Sequence, residues 1–373
     1  ASFCEGVEIM KSKDMVRGLC INSANPDIFA IATTKGIREA SFKLSLKYRR
    51  RSLDRRELLD EDAPGWNGAY RSDDSQFRDP RIVPNKGSPG PKRGVPRAAS
   101  VAAIGAGSEM KPISSTSSDK DLSHYALWSH PKLPLYMASD MEGGVSLWEF
   151  GQPIVRSTIK RSSRVNQVAF SPFGDIVVSA EIAGNMSLYA LEEANLSKRC
   201  FLEVSAAAKR LNDVCFLSSN HLLATAGENP NNRNVCIWDL HLPAHSACVQ
   251  SFLSHDYGAH SVAFLPSEGL IVSGGHKGAI NIFDLRKGRL LTSIPNAHSL
   301  NVKSLSVDPW SDLFVSGSTD GDVSLWSAKS FQRVHVWENA HEKKKIFLVQ
   351  GGAAVSTYGV MQVALTDRAL FSV

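Results

Sequence analysis

The fold is decided by residues 301–326, which read NVKSLSV-DPWSD-LFVSGS-TDG-D-VSLW. The first seven residues of this stretch alternate between apolar and polar side chains, as a half-buried strand does. The next five contain the Pro and Asp of a turn, and the following six form a second apolar run. Asp320-Gly321 then favours a tight hairpin turn, because both residues tolerate positive φ. The stretch therefore predicts three consecutive antiparallel strands.

The same order of strands and turns recurs along the chain, and each copy ends on an aromatic residue inside an apolar strand. The aromatic residues are Trp148, Tyr189, Trp238, Phe283 and Trp326. They lie 41, 49, 45 and 43 residues apart, a period typical of WD40 propellers, in which each repeat forms one four-stranded blade. Two further copies begin near residues 16 and 360. The sequence therefore predicts an all-β fold, a seven-bladed WD40 β-propeller.

The last copy is shorter than the others. Residues 360–365 and 369–373 provide two strands, and the sequence ends at Val373 without the aromatic-bearing third strand of the other copies. We therefore expect an incomplete last blade. Residues 2–10 are the candidate for a strand that would close it.

A basic segment interrupts the repeats after the third strand of the first copy. Between residues 47 and 97 there are 13 Lys and Arg against 8 Asp and Glu, a surplus equal to the net charge of the whole chain, +5. This Pro-, Gly-, Ser- and Arg-rich segment cannot bury enough apolar surface to offset its ordering entropy. We expect an N-terminal strand and first blade in 1–46, a disordered basic insertion in 47–122, and the remaining blades in 123–373.

Composition and motifs argue against catalysis. No stretch has the roughly 18–20 consecutive apolar residues of a membrane helix, and the six cysteines form no CxxC pair. The chain has no phosphate-binding glycine loop, zinc-protease helix or nucleophile elbow. His255 and His260 lack a Cys or acid at metal-ligand spacing. We expect no enzymatic activity, no cofactor, no metal and no small-molecule substrate.

One copy carries the residues of a hydrogen-bond chain that stabilises WD blades. They are His298, Ser316, Ser318, Asp320 and Trp326, and either serine could join the histidine to the tryptophan. The same residue types could form a nucleophilic Ser-His-Asp triad. We favour the structural interpretation, because a buried indole N–H needs an acceptor.

Two other segments are candidates for regulation and for binding. A basophilic-kinase pattern, Arg-Arg-x-Ser, lies in the basic segment and comprises Arg49, Arg50, Arg51 and Ser52. A phosphate on this serine would cancel part of the positive cluster. Loops carry binding residues more often than strands do. The candidate binding loop is irregular and polar, and comprises Asn229, Asn231, Asn232 and Arg233.

Several segments carry a more specific pattern than the repeat alone. They are residues 13–22 (KDMVRGLCIN), 30–39 (AIATTKGIRE), 129–136 (SHPKLPLY), 275–278 (GHKG), 282–286 (IFDLR) and 359–362 (GVMQ). Together they resemble the C-terminal propeller of the rabconnectin/DmX-like family. The resemblance covers most of the chain outside 47–122. The long basic insertion and the shortened last blade depart from the family pattern.

The resemblance implies a non-enzymatic scaffold that forms the C-terminal part of a very large cytosolic protein. The implied role is regulation of the vacuolar proton pump (V-ATPase) and vesicle acidification. The implied partners are V-ATPase cytosolic-sector subunits, a second WD-repeat rabconnectin subunit and Rab GTPase regulators. The implied location is the cytoplasm, with peripheral association on endosomes or synaptic and secretory vesicles. The alternative is a charge-driven binder of anionic membrane or nucleic acid through the basic insertion, although a net charge of +5 does not by itself indicate nucleic acid.

Overall fold

The chain folds almost entirely into β-strands. The computed structural model describes residues 16–33, 36–41, 111–112, 124–152, 154–308, 312–341, 346–348, 354–356, 359–366 and 370–373. These residues form 29 strands, together with two short 3-10 turns at Pro230–Asn232 and His276–Gly278. Within the same residues, no helix is both long enough and apolar enough to cross a bilayer.

Six antiparallel sheets follow one another along the described chain, and each is a blade; five have four strands, and the third has a short fifth strand. Blade one contains β1 (Val16–Ile21), β2 (Ile28–Thr33), β3 (Gly36–Ser41) and β4 (Lys111–Pro112). Blade two contains β5 (His124–Ser129), β6 (Leu135–Asp140), β7 (Gly144–Glu149) and β8 (Val155–Lys160). Blade three contains β9 (Val165–Phe170), β10 (Ile176–Glu181), β11 (Asn185–Glu192) and β13 (Leu202–Ser205), with the short β12 (Asn195–Leu196) paired to the end of β11.

The remaining blades repeat this order. Blade four contains β14 (Arg210–Phe216), β15 (Leu222–Glu228), β16 (Val235–Asp239) and β17 (Cys248–Phe252). Blade five contains β18 (Ala259–Leu265), β19 (Leu270–Gly275), β20 (Ile280–Asp284) and β21 (Arg289–Ile294). Blade six contains β22 (Val302–Asp308), β23 (Leu313–Ser318), β24 (Val323–Ser327) and β25 (Arg333–Trp337). Two two-stranded sheets follow, β26 (Ile346–Leu348) with β27 (Ala354–Ser356), and β28 (Val363–Leu365) with β29 (Leu370–Ser372).

The predicted count of seven blades needs correction. The described residues form six blades, and the last copy contributes only the pair β28–β29. Its sequence supplies two of the four strands that a blade requires. The proposed closing segment, 2–10, lies outside the described residues. Within the predicted insertion, 47–122, the structure describes Lys111–Pro112 alone, and these two residues pair with β3 as the fourth strand of blade one.

The first strand of every blade is its innermost one, and these inner strands are arranged in a circle. Each contacts the inner strand of the following blade, from β1 through β5, β9, β14 and β18 to β22. The strand β28 lies between β22 and β1. There the Val363 N–H donates to Ser304 Oγ at 3.1 Å, and the Leu19 N–H donates to Gln362 Oε1 at 2.6 Å. The two-stranded sheet therefore joins the ends of the circle.

The hydrophobic core lies between neighbouring blades. The core between blades three and four brings Met186 and Leu188 against Leu211 and Trp238. Both faces of each sheet are covered in this way, so the second strands are buried along most of their length. In β19, for example, all six side-chain positions are buried. Rigid packing of this kind holds the loops and turns in place at both ends of the strands.

Candidate functional site

The hydrogen-bond chain predicted in blade six is present, and Ser316 is its link. The Trp326 indole N–H donates to Ser316 Oγ at 2.8 Å, and this oxygen lies 2.7 Å from His298 Nε2. On the other side of the imidazole, Nδ1 lies 3.5 Å from Asp320 Oδ2. The imidazole therefore lies between the serine hydroxyl on its Nε2 side and the Asp320 carboxylate on its Nδ1 side. Ser318 lies outside this chain and accepts the Asp320 N–H at 3.2 Å.

Asp320 joins two loops at one end of blade six. Its Oδ2 accepts the Ser299 N–H at 2.8 Å, and its Oδ1 accepts the Asp322 N–H at 3.0 Å. Burial by itself raises the pKa of the Asp320 carboxyl. The hydrogen bonds from His298 and from these two backbone N–H groups outweigh burial and hold the pKa below its usual range. The carboxylate therefore stays ionised and fixes the turn after β23 to the loop before β22.

Burial rules out a catalytic role for this Ser-His-Asp set. The Ser316 side chain has 0% of its surface exposed, and His298, Asp320 and Trp326 are also buried. A nucleophile must reach its substrate, and this hydroxyl lies inside the blade with both neighbours in place. The set is a structural device of the fold.

Other blades contain parts or replacements of the same device. In blade four the Trp238 indole N–H donates to Thr225 Oγ1 at 2.9 Å, with no histidine involved. In blade five His255 Nε2 lies 2.9 Å from Ser273 Oγ, and Phe283 stands at the aromatic position.

Blade three replaces the histidine by an arginine. Arg161 Nε donates to Glu181 Oε1 at 2.7 Å, and its Nη1 donates to the Tyr189 hydroxyl at 3.0 Å. The Glu181 side chain is fully buried and also accepts hydrogen bonds from Ser162 and Ser163. In this divergent repeat an Arg–Glu pair connects the loop before the first strand to the turn after the second strand. A search for the usual His-Asp pattern does not find this pair.

The candidate binding loop connects β15 to β16, and hydrogen bonds made by its own polar groups hold its conformation. Asn229 Nδ2 donates to the Arg233 carbonyl at 3.0 Å, and Arg233 Nη1 donates to Ser251 Oγ at 3.1 Å. Asn231 and Asn232 adopt positive φ angles of 60° and 55°, a conformation that Asn tolerates well. Asn231 and Arg233 stay exposed.

A cavity of about 530 Å³ adjoins this loop. Its lining includes Lys209, Glu228, Asn229, Asn232, Tyr257, His276 and Lys277. The kinase pattern at residues 49–52 lies outside the described residues.

A ring of side chains surrounds the channel entrance, and the sequence analysis missed it. One residue near the start of each of the six inner strands, together with one residue that precedes β28, lines a central cavity of about 430 Å³. The ring residues are Arg17, Tyr125, Asn166, Asn212, His260, Lys303 and Met361.

In five of these strands the ring residue is the extra residue of a β-bulge. The strand pairing skips Arg17, Asn166, Asn212, His260 and Lys303. A bulge turns its side chain away from the regular alternation, which places a polar group in the channel without disturbing the buried face.

Part of the ring is occupied by contacts within the protein. Asn166 Nδ2 donates to the Leu211 carbonyl and Asn212 Nδ2 to the Ala259 carbonyl, each at 2.8 Å, so both amides join neighbouring inner strands. The guanidinium of Arg164 lies 4.7 Å from the centre of the Tyr125 ring. The channel entrance therefore combines fixed amides with cationic groups. Among the described residues no cluster of His, Cys, Asp and Glu has the arrangement of a metal site.

Comparison with known proteins agrees with this architecture. Residues 246–284 and 288–327 match the family described as WD domain, G-beta repeat. Each match runs from the fourth strand of one blade through the third strand of the next. A chain in the structure titled "Crystal Structure of Mitotic Checkpoint Complex" superposes with a TM-score of 0.63 at 15% identity, covering 99% of this chain and 87% of that chain. This likeness concerns the fold alone.

Sequence relatives include very long proteins. DmX-like protein 1 of Mus musculus is 34% identical over 242 residues, which is 63% of this chain and 8% of that protein, and DmX-like protein 1 of Homo sapiens gives the same values. The transcriptional corepressor LEUNIG_HOMOLOG of Arabidopsis thaliana is 25% identical over 199 residues, 53% of this chain and 23% of that protein. The chain therefore spans only a small part of the length of these relatives.

Proposed function

The chain belongs to the DmX-like WD40 family, and from this premise we propose that it is a non-enzymatic scaffold that binds proteins in the regulation of V-ATPase. The observation that carries the proposal is the 34% identity to DmX-like protein 1 over 242 residues. WD40 repeats are typical of scaffolds, and the buried Ser-His-Asp set supplies no exposed nucleophile. The proposed partners are V-ATPase cytosolic-sector subunits, a second WD-repeat rabconnectin subunit and Rab GTPase regulators. The proposed location is cytoplasmic and peripheral on endosomes and secretory vesicles.

The proposal includes a ring with seven positions. The pair β28–β29 occupies the seventh position, because β28 contacts the inner strands on both sides. The Val363 N–H donates a hydrogen bond to Ser304 Oγ, and the Leu365 N–H donates one to Ser306 Oγ. A closed circle gives the entrance a fixed shape, so binding specificity resides in the loops and ring residues around it.

The interaction face is the one that carries the ring residues and the loops before each inner strand. Tyr257 lies on this face with 60% of its surface exposed, and Lys277 Nζ lies 4.8 Å from the centre of its ring. Phe173 provides a matched aromatic in the turn between β9 and β10, at the other end of the inner strands. It is 61% exposed, and Lys132 Nζ lies 5.3 Å from the centre of its ring.

The experiment is a pull-down from membrane-free cytosol at low and at high salt. The baits are residues 1–373, a variant that lacks residues 47–104 and keeps β4, and the variants Tyr257→Ala and Phe173→Ala. We expect V-ATPase cytosolic-sector subunits or Rab regulators with every bait except Tyr257→Ala, at both salt concentrations. Recovery that requires residues 47–104 and disappears at high salt would instead favour the charge-driven binder of anionic surfaces, since screening by salt weakens such binding.

A further inference from the structure

His260 is a ring residue whose two buried imidazole nitrogens make no hydrogen bond within the described part of the chain. Its side chain is 8% exposed, and neither Nδ1 nor Nε2 has a hydrogen-bond partner there. The amides of Asn166 and Asn212, at the equivalent places of blades three and four, both bind the next inner strand. Buried polar atoms without partners are unfavourable, so they are rare in folded proteins and often indicate a missing ligand.

The groups around this imidazole are mainly cationic. Burial is the main cause that lowers the pKa of His260 to about 3, and the charges of Lys303 and Arg210 and the imidazole of His276 contribute to the same shift. The imidazole is therefore neutral at physiological pH, with one N–H to donate and one nitrogen to accept.

Lys303 is the adjacent ring residue on the next inner strand. The one carboxylate among the described residues that line the channel cavity is Asp213. Its oxygens already accept hydrogen bonds from the Gln167 amide and from the Val214 and Val262 N–H groups. The channel side of His260 therefore favours an incoming anion, whereas two carboxylates, Glu228 and Asp256, line the second cavity.

The two cavities of this face meet at His260. His260 lines the channel cavity, His276 lines the cavity beside the β15–β16 loop, and the centres of their rings lie 4.6 Å apart. The second cavity, of about 530 Å³, also contains the exposed ring of Tyr257. An extended peptide can therefore place one side chain in the channel and lay its neighbouring residues in the second cavity. A small free anion would leave that second cavity unused.

We propose that the channel entrance at His260 binds the carboxylate of a Glu or Asp side chain from an acidic segment of a partner protein. His260 donates one N–H to the carboxylate, and Lys303 compensates its charge. A hydrogen bond between charged and neutral groups is stronger in such a buried place than in water. The proposal rests on the proposed protein-binding function, and it adds the chemistry that this face recognises.

The test uses the chain 1–373 labelled with 13C at histidine Cε1, with His260→Asn to assign the resonance. The probe is the capped peptide Gly-Ala-Glu-Ala-Gly, and its control is the same peptide with Gln in place of Glu. We expect the Glu peptide to move the His260 resonance and to raise the pKa of this imidazole, because a bound carboxylate favours the protonated form. The Gln peptide should do neither. His260→Asn should keep the fold, since Asn stands at two equivalent ring positions.

Two lysine variants separate a specific contact from a general charge effect. Lys303→Gln should weaken binding of the Glu peptide roughly tenfold, as expected for losing one hydrogen bond to a charged group. Lys287→Gln removes the same charge from the turn between β20 and β21, at the other end of the blade, and should leave binding unchanged. Equal effects of both variants would overturn the proposal.

Three further results would also overturn the proposal: no movement of the His260 resonance, equal movement by the Gln peptide, or equal movement by inorganic phosphate at the same concentration. The last would assign the site to a free anion. Partner recovery that depends on Tyr257, together with failure of the Glu peptide, would leave the protein-binding function standing and remove this inference alone. Binding of the Glu peptide without partner recovery would leave the carboxylate site standing and remove the proposed protein-binding function.

Discussion

Replacing Ser316 by Ala should destabilise the protein far more than the loss of one small hydroxyl suggests. Ser316 Oγ is shared by two buried groups, the Trp326 indole N–H at 2.8 Å and His298 Nε2 at 2.7 Å. An alanine leaves both without a partner in a place that water does not reach. Each buried polar group that loses its partner costs about 1–3 kcal/mol. We therefore expect the free energy of unfolding to fall by about 2–4 kcal/mol.

Blade six itself contains the matched control. Ser324 lies directly across the strand pair from Ser316 and is equally buried, but its hydroxyl has no hydrogen-bond partner in the described part of the chain. Ser324→Ala removes the same atom from the same environment without breaking a bond. Its effect on the free energy of unfolding should be within about 0.5 kcal/mol, because an unpaired buried hydroxyl gives no stability.

The assay is urea denaturation followed by far-UV circular dichroism, with the transition midpoints of the two variants compared at constant slope. Trp326→Phe and the double variant Ser316→Ala/Trp326→Phe complete the set. The double variant should be less destabilised than the sum of the single variants, by about 1 kcal/mol, because both single changes break the same hydrogen bond. Equal midpoints for Ser316→Ala and Ser324→Ala would refute the view that the hydrogen-bond chain stabilises this blade.

Charged and thiol groups give three other predictions. Because the folded-state pKa of Asp320 lies below its usual value, its contribution to stability is complete above about pH 4 and is lost as pH falls; the urea midpoints of wild type and Asp320→Asn should therefore converge in acid, and a constant difference would count against the assignment. Glu181→Ala leaves the largely buried side chain of Arg161 without its main partner, and the unfolding free energy should fall by about 3 kcal/mol in the same assay; a loss below about 1 kcal/mol would contradict this. Cys248 is exposed, and the neighbouring Cys236 thiol lowers the pKa of Cys248 below its usual value; its alkylation by iodoacetamide, followed by peptide mass spectrometry, should reach its half-maximal rate at a lower pH in the wild type than in Cys236→Ala, and equal pH profiles would contradict this.

The repeat period and the turn residues are enough to predict the propeller. Alternation of side chains, the Asp-Gly turn at Asp320 and the aromatic spacing each report a local property of the chain. The same local signals assign His298, Ser316 and Trp326 to one blade, where hydrogen bonds join the three side chains. The predicted count of seven blades was wrong, because the described residues of the last copy form only β28 and β29. The shortening of that copy was part of the prediction.

The channel ring could not be predicted from these signals. Arg17, His260 and Lys303 differ in chemistry and lie far apart in sequence. They share only a bulge in the pairing register, and register depends on two strands at once. The sequence analysis also missed the Arg161–Glu181 pair in blade three, for a related reason. It performs the role of the His-Asp pair with different residue types, so no residue pattern identifies it.

The bulged positions separate what the framework requires from what the entrance presents. Because a bulge residue is extra to the ladder, exchanging His260 for another side chain alters no strand-pairing partner. A substitution in a single inner strand can therefore change the chemistry of the channel entrance while the blades keep their structure. Relatives with the same blades need not recognise the same partner.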